Sequence, residues 1–403
     1  MIYNKWKPYK KKRAILLIFI GWAAIGQALA QDFLVIKGQI FESKTKKVLP
    51  FASVSIKNKF KGTVANDKGQ FSFTLPYSLS KDTLRVSYMG FEDLEILIDT
   101  IRHELYLELK INSTLLNEVV LTPLEPEDYI KMAVKNMPKN FPNKAYVTQA
   151  YYNNKCSVNG QVLADEESFF DTYHSVGNDT IEHQIILHQK KNISKEIISD
   201  FYEETSIEIE GQFNTPDFIL ERGKTSPKEL CLDSLNFKKF TYQFNPNKIN
   251  GYRSILFTSK RPINYVEISG EIILERTTHA VVSINYEGRI NIPFKIKPLL
   301  FISGYTITNP KIKSRRLYRN INGVWYIDFI EIEFYIEIEK RKIFKPNKQY
   351  SCLFNQIFNV NNTLIKDVKA IEVEKIFDNS LPYELQLQNE KNLKWDEINR
   401  INR

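Results

Sequence analysis

Gly62-Thr63-Val64-Ala65-Asn66-Asp67-Lys68-Gly69-Gln70-Phe71-Ser72-Phe73-Thr74-Leu75 is the stretch on which the fold turns. Asn66, Asp67 and Gly69 suit the unusual dihedrals of a tight turn. After it, Phe71, Phe73 and Leu75 recur at every second position, the period of a strand with one face in a core. Calcium at Asp67 would need a cage of oxygens, and one Asp with one Asn does not make one. Turn chemistry accounts for both residues. Outward from this stretch the pattern repeats. Val35 to Phe41 reads as a first strand, Val48 to Ile56 turns into a second, and Leu84, Val86 and Tyr88 alternate before Gly90 breaks the run. Short strands punctuated by turn residues indicate an all-β sandwich.

The succession G-x-I, L-P-F-A-x-V-x-I, G-T-V-x-N-D-x-G-x-F and V-S-Y-x-G-F resembles the carboxypeptidase regulatory-like domain of Gram-negative envelope proteins. The resemblance implies a transthyretin-like, seven-strand sandwich over residues 32–112. In it Pro50 fixes φ where the chain enters a strand, and Phe71 and Phe73 fill the space between sheets. Leu116-Asn117-Glu118-Val119-Val120-Leu121-Thr122 is similar to the segment that follows this domain in TonB-dependent outer-membrane receptors. Fewer than 300 residues come after it, against the large barrel of about 22 strands that such a receptor needs. The chain also closes on Ile401-Asn402-Arg403 and not on an aromatic residue. An accessory beside a receptor or barrel is the expectation, not a receptor.

Residues 1–30 read as a cleaved signal peptide. Lys10, Lys11, Lys12 and Arg13 precede an apolar run from Ala14 to Ile25, and Ala28 and Ala30 place small residues before a cut between Ala30 and Gln31. The run is too short for a spanning helix of about 20 residues. The expected location is the periplasm or the periplasmic face of the outer membrane. The whole chain carries +9, but six basic residues and no acid lie in this leader, leaving +3 for the remainder. Basic residues there are dispersed among acids, which excludes nucleic acid as a partner. Cys156, Cys231 and Cys352 are odd in number and far apart, so they form no disulfide framework; one bridge or three buried thiols both fit.

Residues 113–126, with Pro123 and Pro126, read as a linker, and 127–403 as a larger β-rich domain with flanking helices. Glu127 to Met137 shows helical spacing of Ile130, Ala133, Val134 and Met137, ended by Pro138 and Pro142. Strands dominate from Ala145. Val266, Ile268, Gly270, Ile272 and Leu274 share one face, against Glu267, Ser269, Glu271 and Glu275. Ala280, Val282, Ile284 and Tyr286 oppose Ser283, Asn285 and Glu287. Ile330, Ile332, Phe334, Ile336 and Ile338 oppose Glu331, Glu333, Tyr335, Glu337 and Glu339. Alternation with one acidic side predicts an antiparallel sheet with one face in a core and one in water. Paired acids suit glycoside cleavage, but repeated Glu along a strand reads first as a solvated face.

The order G-x-I-x-L-x-x-x-T, V-x-x-I, with Gly323-Val324-Trp325-Tyr326-Ile327, is similar to the open half-barrel of periplasmic lipoprotein carriers over residues 200–359. That resemblance implies an apolar face able to hold an acyl chain or peptide; an ordinary filled core is the alternative. Residues 138–152 and Leu381 to Leu385 resemble uncharacterised C-terminal portions that accompany the sandwich, and a last helix is expected through Trp395 and Ile398.

The fold class expected is therefore mainly β: an N-terminal sandwich, then a larger antiparallel-sheet domain with a few helices. No zincin, G-x-S-x-G or His-x-x-Glu pattern involves His103, His174, His183, His188 or His279. His183 and His188, at i, i+5, should lie on opposite faces of a strand. No catalytic, cofactor or metal site is expected. The leading functional reading is a non-enzymatic envelope binding or assembly module with an envelope protein partner. A carrier of a lipid or hydrophobic peptide is the second, and a hydrolase or carboxypeptidase the third.

Overall fold

The computed structural model describes residues 33–57, 59, 61–112, 124–175, 180–191, 227, 229–247, 249, 251–342, 346–378, 380–388 and 393–400. The leader with Ala30 and Gln31, and residues 113–123 of the junction, lie outside them. The chain is mainly β, as its alternation implied.

Seven segments build the N-terminal part: β1 (Phe33–Glu42), β2 (Ser53–Ile56), β3 (Gly62–Val64), β4 (Gln70–Pro76), β5 (Thr83–Ser87), β6 (Leu94–Leu97) and β7 (Leu105–Leu109). They form one sheet in the order β4-β1-β7, with β1 and β7 parallel, and another in the order β3-β2-β5-β6. Ile36, Ile40, Val54, Ile56, Phe71, Phe73, Leu75, Leu84, Val86 and Leu107 are buried in one cluster between them. In the deciding turn, Asn66 Oδ1 accepts from the amides of Lys68 (3.0 Å) and Gln70 (2.8 Å). Gly69 sits at φ +71°, where a Cβ would lie 2.9 Å from the Ile40 carbonyl oxygen, while Asp67 points to solvent.

The larger part opens with α1 (Pro126–Asn140). Proline at its first position, with Glu127 and Asp128 in the first turn, suits a helix N-terminus. Pro138 lies inside it and does not end it. In the last turn the proline removes one hydrogen bond, and the Phe141 amide still reaches the Met137 carbonyl at 3.0 Å.

Ten strands then make one antiparallel sheet: β8 (Tyr146–Val158), β9 (Gln161–His174), β10 (Ile181–Lys190), β11 (Phe240–Phe244), β12 (Tyr252–Ser259), β13 (Val266–Glu275), β14 (Val281–Ile290), β15 (Tyr305–Ile321), β16 (Val324–Lys340) and β17 (Lys348–Leu364). Their order is β10-β9-β8-β17-β16-β15-β14-β13-β12-β11, so β17 returns to pair with β8. A short helix, α2 (Lys297–Ile302), links β14 to β15. Residues 395–397 form a single 3-10 turn where a helix through Trp395 and Ile398 was expected. That turn packs Trp395 and Ile398 onto Tyr151, Phe169 and Ile186, so its geometry answers to the sheet and not to helical spacing.

The apolar face of the large sheet is covered by α1 and by residues 230–240, with Ile130, Ala133, Phe237, Ile272, Ile284 and Ile330 in one core. The opposite face departs from expectation. Glu331 is buried there, with Arg315 Nη1 at 3.5 Å and Asn355 Nδ2 at 3.3 Å. The cause is the sandwich, which docks on this side through Phe51 and Val64 against Leu317, Phe329 and Ile357. Further along, Asn399 Oδ1 accepts from the Thr74 amide at 2.7 Å and the Asn399 amide donates to Asn361 Oδ1 at 2.8 Å. The acidic side of β16 is thus a joint as far as Glu331 and meets water from Glu333 onward.

Phe51 is the pin of that joint. Its backbone sits at φ +62°, a strained region for a bulky residue. The ring is held 5.6 Å from Phe329, with the Arg315 guanidinium 3.7 Å above its centre. Backbone strain of this kind persists where surroundings over-determine the conformation.

Candidate functional site

Two of the cavities bounded by the described residues are large enough to hold a ligand. The larger, about 850 Å3, lies between sandwich and sheet. Its walls are polar, and its cations face acids of the protein itself: Arg85 to Asp93 and Arg319 to Asp328, each at 2.5 Å. Burial raises the Asp328 pKa, against the opposing pull of Arg319. Arg319 passes so close beneath Gly62 that a Cβ there would fall 2.4 Å from Nη1. Charges paired this closely line the joint between sandwich and sheet.

The smaller cavity, about 740 Å3, sits beneath the sheet. It is within the range of about 300–1,000 Å3 typical of ligand pockets. Strands β13, β14 and β15 supply Val266, Ile268, Tyr286, Ile290 and Ile312; α1 supplies Val134 and Met137; Glu229, Leu230 and Leu232 close the third side. Alternation places these strand residues on one face because each lies directly opposite another member of the set or a glycine. Ile268, for example, faces Gly288, which in turn faces Ile312.

Two carboxylates, Glu229 and Asp233, stand among these apolar walls, and Glu229 is held by Arg316, whose Nη2 lies 2.5 Å away. Arg316 is 1% exposed, among the largest fully buried side chains described. Burial works against its charge, but Glu229, then Tyr318 and Tyr286, outweigh it and raise its pKa. Tyr318 is pushed up to about 12, by burial first. The Tyr318 hydroxyl is a further hydrogen-bonding neighbour of the Arg316 guanidinium, while Ser314 Oγ finds no partner among the described residues. The site thus pairs an apolar chamber with a wall carboxylate, Glu229, that is backed by a fully buried cation. Sequence reasoning missed it: Arg316 reads as one more cation in Lys311-Ile312-Lys313-Ser314-Arg315-Arg316. Only its even position, in phase with Ile312 and Tyr318, signals the inner face.

The histidines do not converge on a metal, and no group of three His, Cys, Asp or Glu that could hold one occurs among the described residues. His183 and His188 nevertheless share a face, against expectation. A bulge between Ile185 and Leu187 shifts the alternation, so His183 stands opposite Thr172 and His188 opposite Ser168. Their Nδ1 atoms lie 3.3 Å and 3.0 Å from those hydroxyls. His174 is fully buried, stacked on Tyr146 at 4.2 Å and bonded through Nε2 to Thr148 Oγ1 at 2.9 Å. Burial, then His183, lowers its pKa to about 3.

Cys156, Cys231 and Cys352 are buried and unbridged. Burial pushes Cys156 up to about 12 and Cys352 up to about 11, so both are thiols and not nucleophilic thiolates at neutral pH. The acids Asp165, Glu166 and Glu167 of β9 are also buried, but each faces a cation: Lys191, Lys190 and Lys191 again.

Residues 36–121 match the model of the CarboxypepD_reg-like domain. This regulatory-like domain covers the sandwich from within β1 onward, and the remaining span includes the whole ten-strand sheet and its cavity. No curated protein matches the chain. Among solved structures, a Bacteroides fragilis NCTC 9343 protein of unknown function, designated membrane-associated, aligns over 82% of this chain and 98% of its own, at 11% identity and a TM-score of 0.16. A superposition that loose carries no argument. Among the described residues, no helix is long and apolar enough to cross a membrane, which says nothing of strands.

Proposed function

We propose that the chain is a non-enzymatic binding module of the cell envelope whose ligand places an apolar part in the cavity beneath β13–β15. The carrying observation is the 740 Å3 chamber walled by Val134, Met137, Ile268, Ile290 and Ile312, with Glu229 in its wall and Arg316 paired to Glu229 behind it. An apolar chain there would leave water, and a polar end would meet Glu229, Asp233 and Ser234, which line the chamber beside the apolar walls. A lipid or a hydrophobic peptide meets that description, which favours the carrier form of the reading over a purely structural assembly role. The regulatory-like sandwich and the leader at residues 1–30 support the compartment, and a protein partner in the envelope would deliver or receive the ligand. The leader is tested separately: intact mass of exported protein should begin at Gln31.

The function is tested with a fluorescent long-chain acyl probe and the full exported chain, alongside native mass spectrometry for co-purified lipid. Saturable binding is expected, weakened at least about tenfold, or 1.4 kcal/mol, by Ile290→Trp, which fills the chamber from a half-buried wall position. Ile268→Trp serves as a second, deeper filling. A folded protein that binds no apolar probe and retains no lipid or peptide overturns the reading.

A further inference from the structure

The connection from β14 to β15 does not behave like a loop of a water-soluble surface. Phe294 is 82%, Leu299 65%, Phe301 66% and Ile302 81% exposed, and Ile296 is exposed beside them. Scattered apolar side chains are ordinary on a surface, but a contiguous group within nine residues marks an interaction site. We propose that this tip docks the protein on an anionic lipid surface, with these side chains entering the headgroup layer and the flanking cations meeting lipid phosphates.

Charge complementarity argues for that occupant. The tip reads Asn291-Ile292-Pro293-Phe294-Lys295-Ile296-Lys297-Pro298-Leu299-Leu300-Phe301-Ile302-Ser303-Gly304, with two lysines and no acid. The end of β16 adds Lys340 and Arg341 alongside. Arg341 Cζ lies 3.7 Å from the Phe301 ring centre, its guanidinium donates to the Phe301 carbonyl, and Lys340 Nζ lies 3.8 Å from the ring centre of Tyr305. Glu267 and Glu339, on strands leading to this end, accept from Asn291 and Asn347. Apolar residues interleaved with cations are what an interfacial anchor requires. The tip also has an aromatic flank suited to the interface: Tyr265 is 55% exposed and its carbonyl accepts from the Asn291 amide at 2.7 Å.

A second copy of the chain fits less well. An isologous contact would set the same lysines against each other, a like-charge juxtaposition that opposes association. The tip is also held in place, since α2 caps onto Leu299 and Phe301 carbonyls and the Gly304 carbonyl accepts from the Arg341 amide at 2.9 Å. The surface is therefore presented in a fixed orientation.

The test is vesicle flotation of the full exported chain with phosphatidylcholine vesicles, with and without phosphatidylglycerol. Wild type should float with the anionic vesicles and lose most of that binding in high salt. Phe294→Ser/Phe301→Ser/Ile302→Ser should fall to background while its circular dichroism and melting temperature are kept, because all three side chains are exposed. Lys295→Glu/Lys297→Glu should lose the anionic preference by at least about tenfold, given about fivefold for each basic residue at such a surface. The triple serine variant should still take up the acyl probe like wild type, which separates this surface from the acyl-probe cavity. No flotation of wild type, or equal flotation of the triple serine variant, overturns the proposal. So does a wild-type dimer in sedimentation that the triple variant dissolves, since the patch would then belong to a second copy.

Discussion

The sandwich and the ten-strand sheet handle the same alternating pattern in opposite ways. In the sandwich, β1, β4 and β5 turn Ile36, Phe73 and Val86 into a core shared between two sheets, and the residues between them stay largely at the surface. In the large sheet both faces are covered. Helix α1 and residues 230–240 take the apolar side, while the sandwich and residues 393–400 take much of the polar side. The difference is that buried polar residues of the sandwich, such as Asn66, serve a local turn, whereas in the sheet they join distant segments: Glu331, Asn359, Asn361 and Arg316 are all buried. Buried polar groups need partners, and breaking one partnership costs more than trimming an exposed chain.

The sharpest way to test this contrast is Arg316→Met. It leaves Glu229 buried with its countercharge gone, and a loss of about 3–5 kcal/mol is expected from urea unfolding. Arg316→Met/Glu229→Leu should recover most of it, since both charges then leave together. Recovery failing would mean that Arg316 serves through other contacts than the pair.

The second test loosens the joint. Phe51→Ala removes the ring between Phe329 and Arg315 and should cost about 1–3 kcal/mol. Hydrogen exchange should quicken at residues 329–333 of β16 and leave β4 and β5 unchanged. Equal quickening in both places would show that sandwich and sheet unfold as one unit.

The third is a pH dependence seated in the sheet. The folded His174 titrates at about 3 and the free imidazole near 6.5. The fold therefore favours the neutral ring, a contribution complete above pH 6.5 and lost as pH falls from there towards 3. The slope from this one site is up to about 1.4 kcal/mol per pH unit. His174→Gln should flatten that limb of the urea midpoint against pH; an unchanged limb would assign acid sensitivity elsewhere.

The smallest effect is expected from separating the regions. Residues 33–112 expressed alone should unfold cooperatively, with stability within about 1–2 kcal/mol of the sandwich in the full chain, because the core from Ile36 to Leu109 is closed on itself. A molten product would make the joint essential.

What was legible in the sequence follows from what is local. A turn such as Asn66 to Gly69 is decided by its own dihedrals and hydrogen bonds, and alternation from Val266 to Leu274 says which side chains share a face. Hence the sandwich, β13, β14 and the antiparallel sheet could be read directly, and most of α1 with them. Period 2 is silent on what covers each face. That Glu331 lies under the sandwich, that Arg316 is buried against Glu229, that a bulge brings His183 and His188 to one side, and that Phe294 to Ile302 meets no covering chain among the described residues were decided only in three dimensions. Each depends on residues far apart in the chain, docked by burial energies that no local pattern contains.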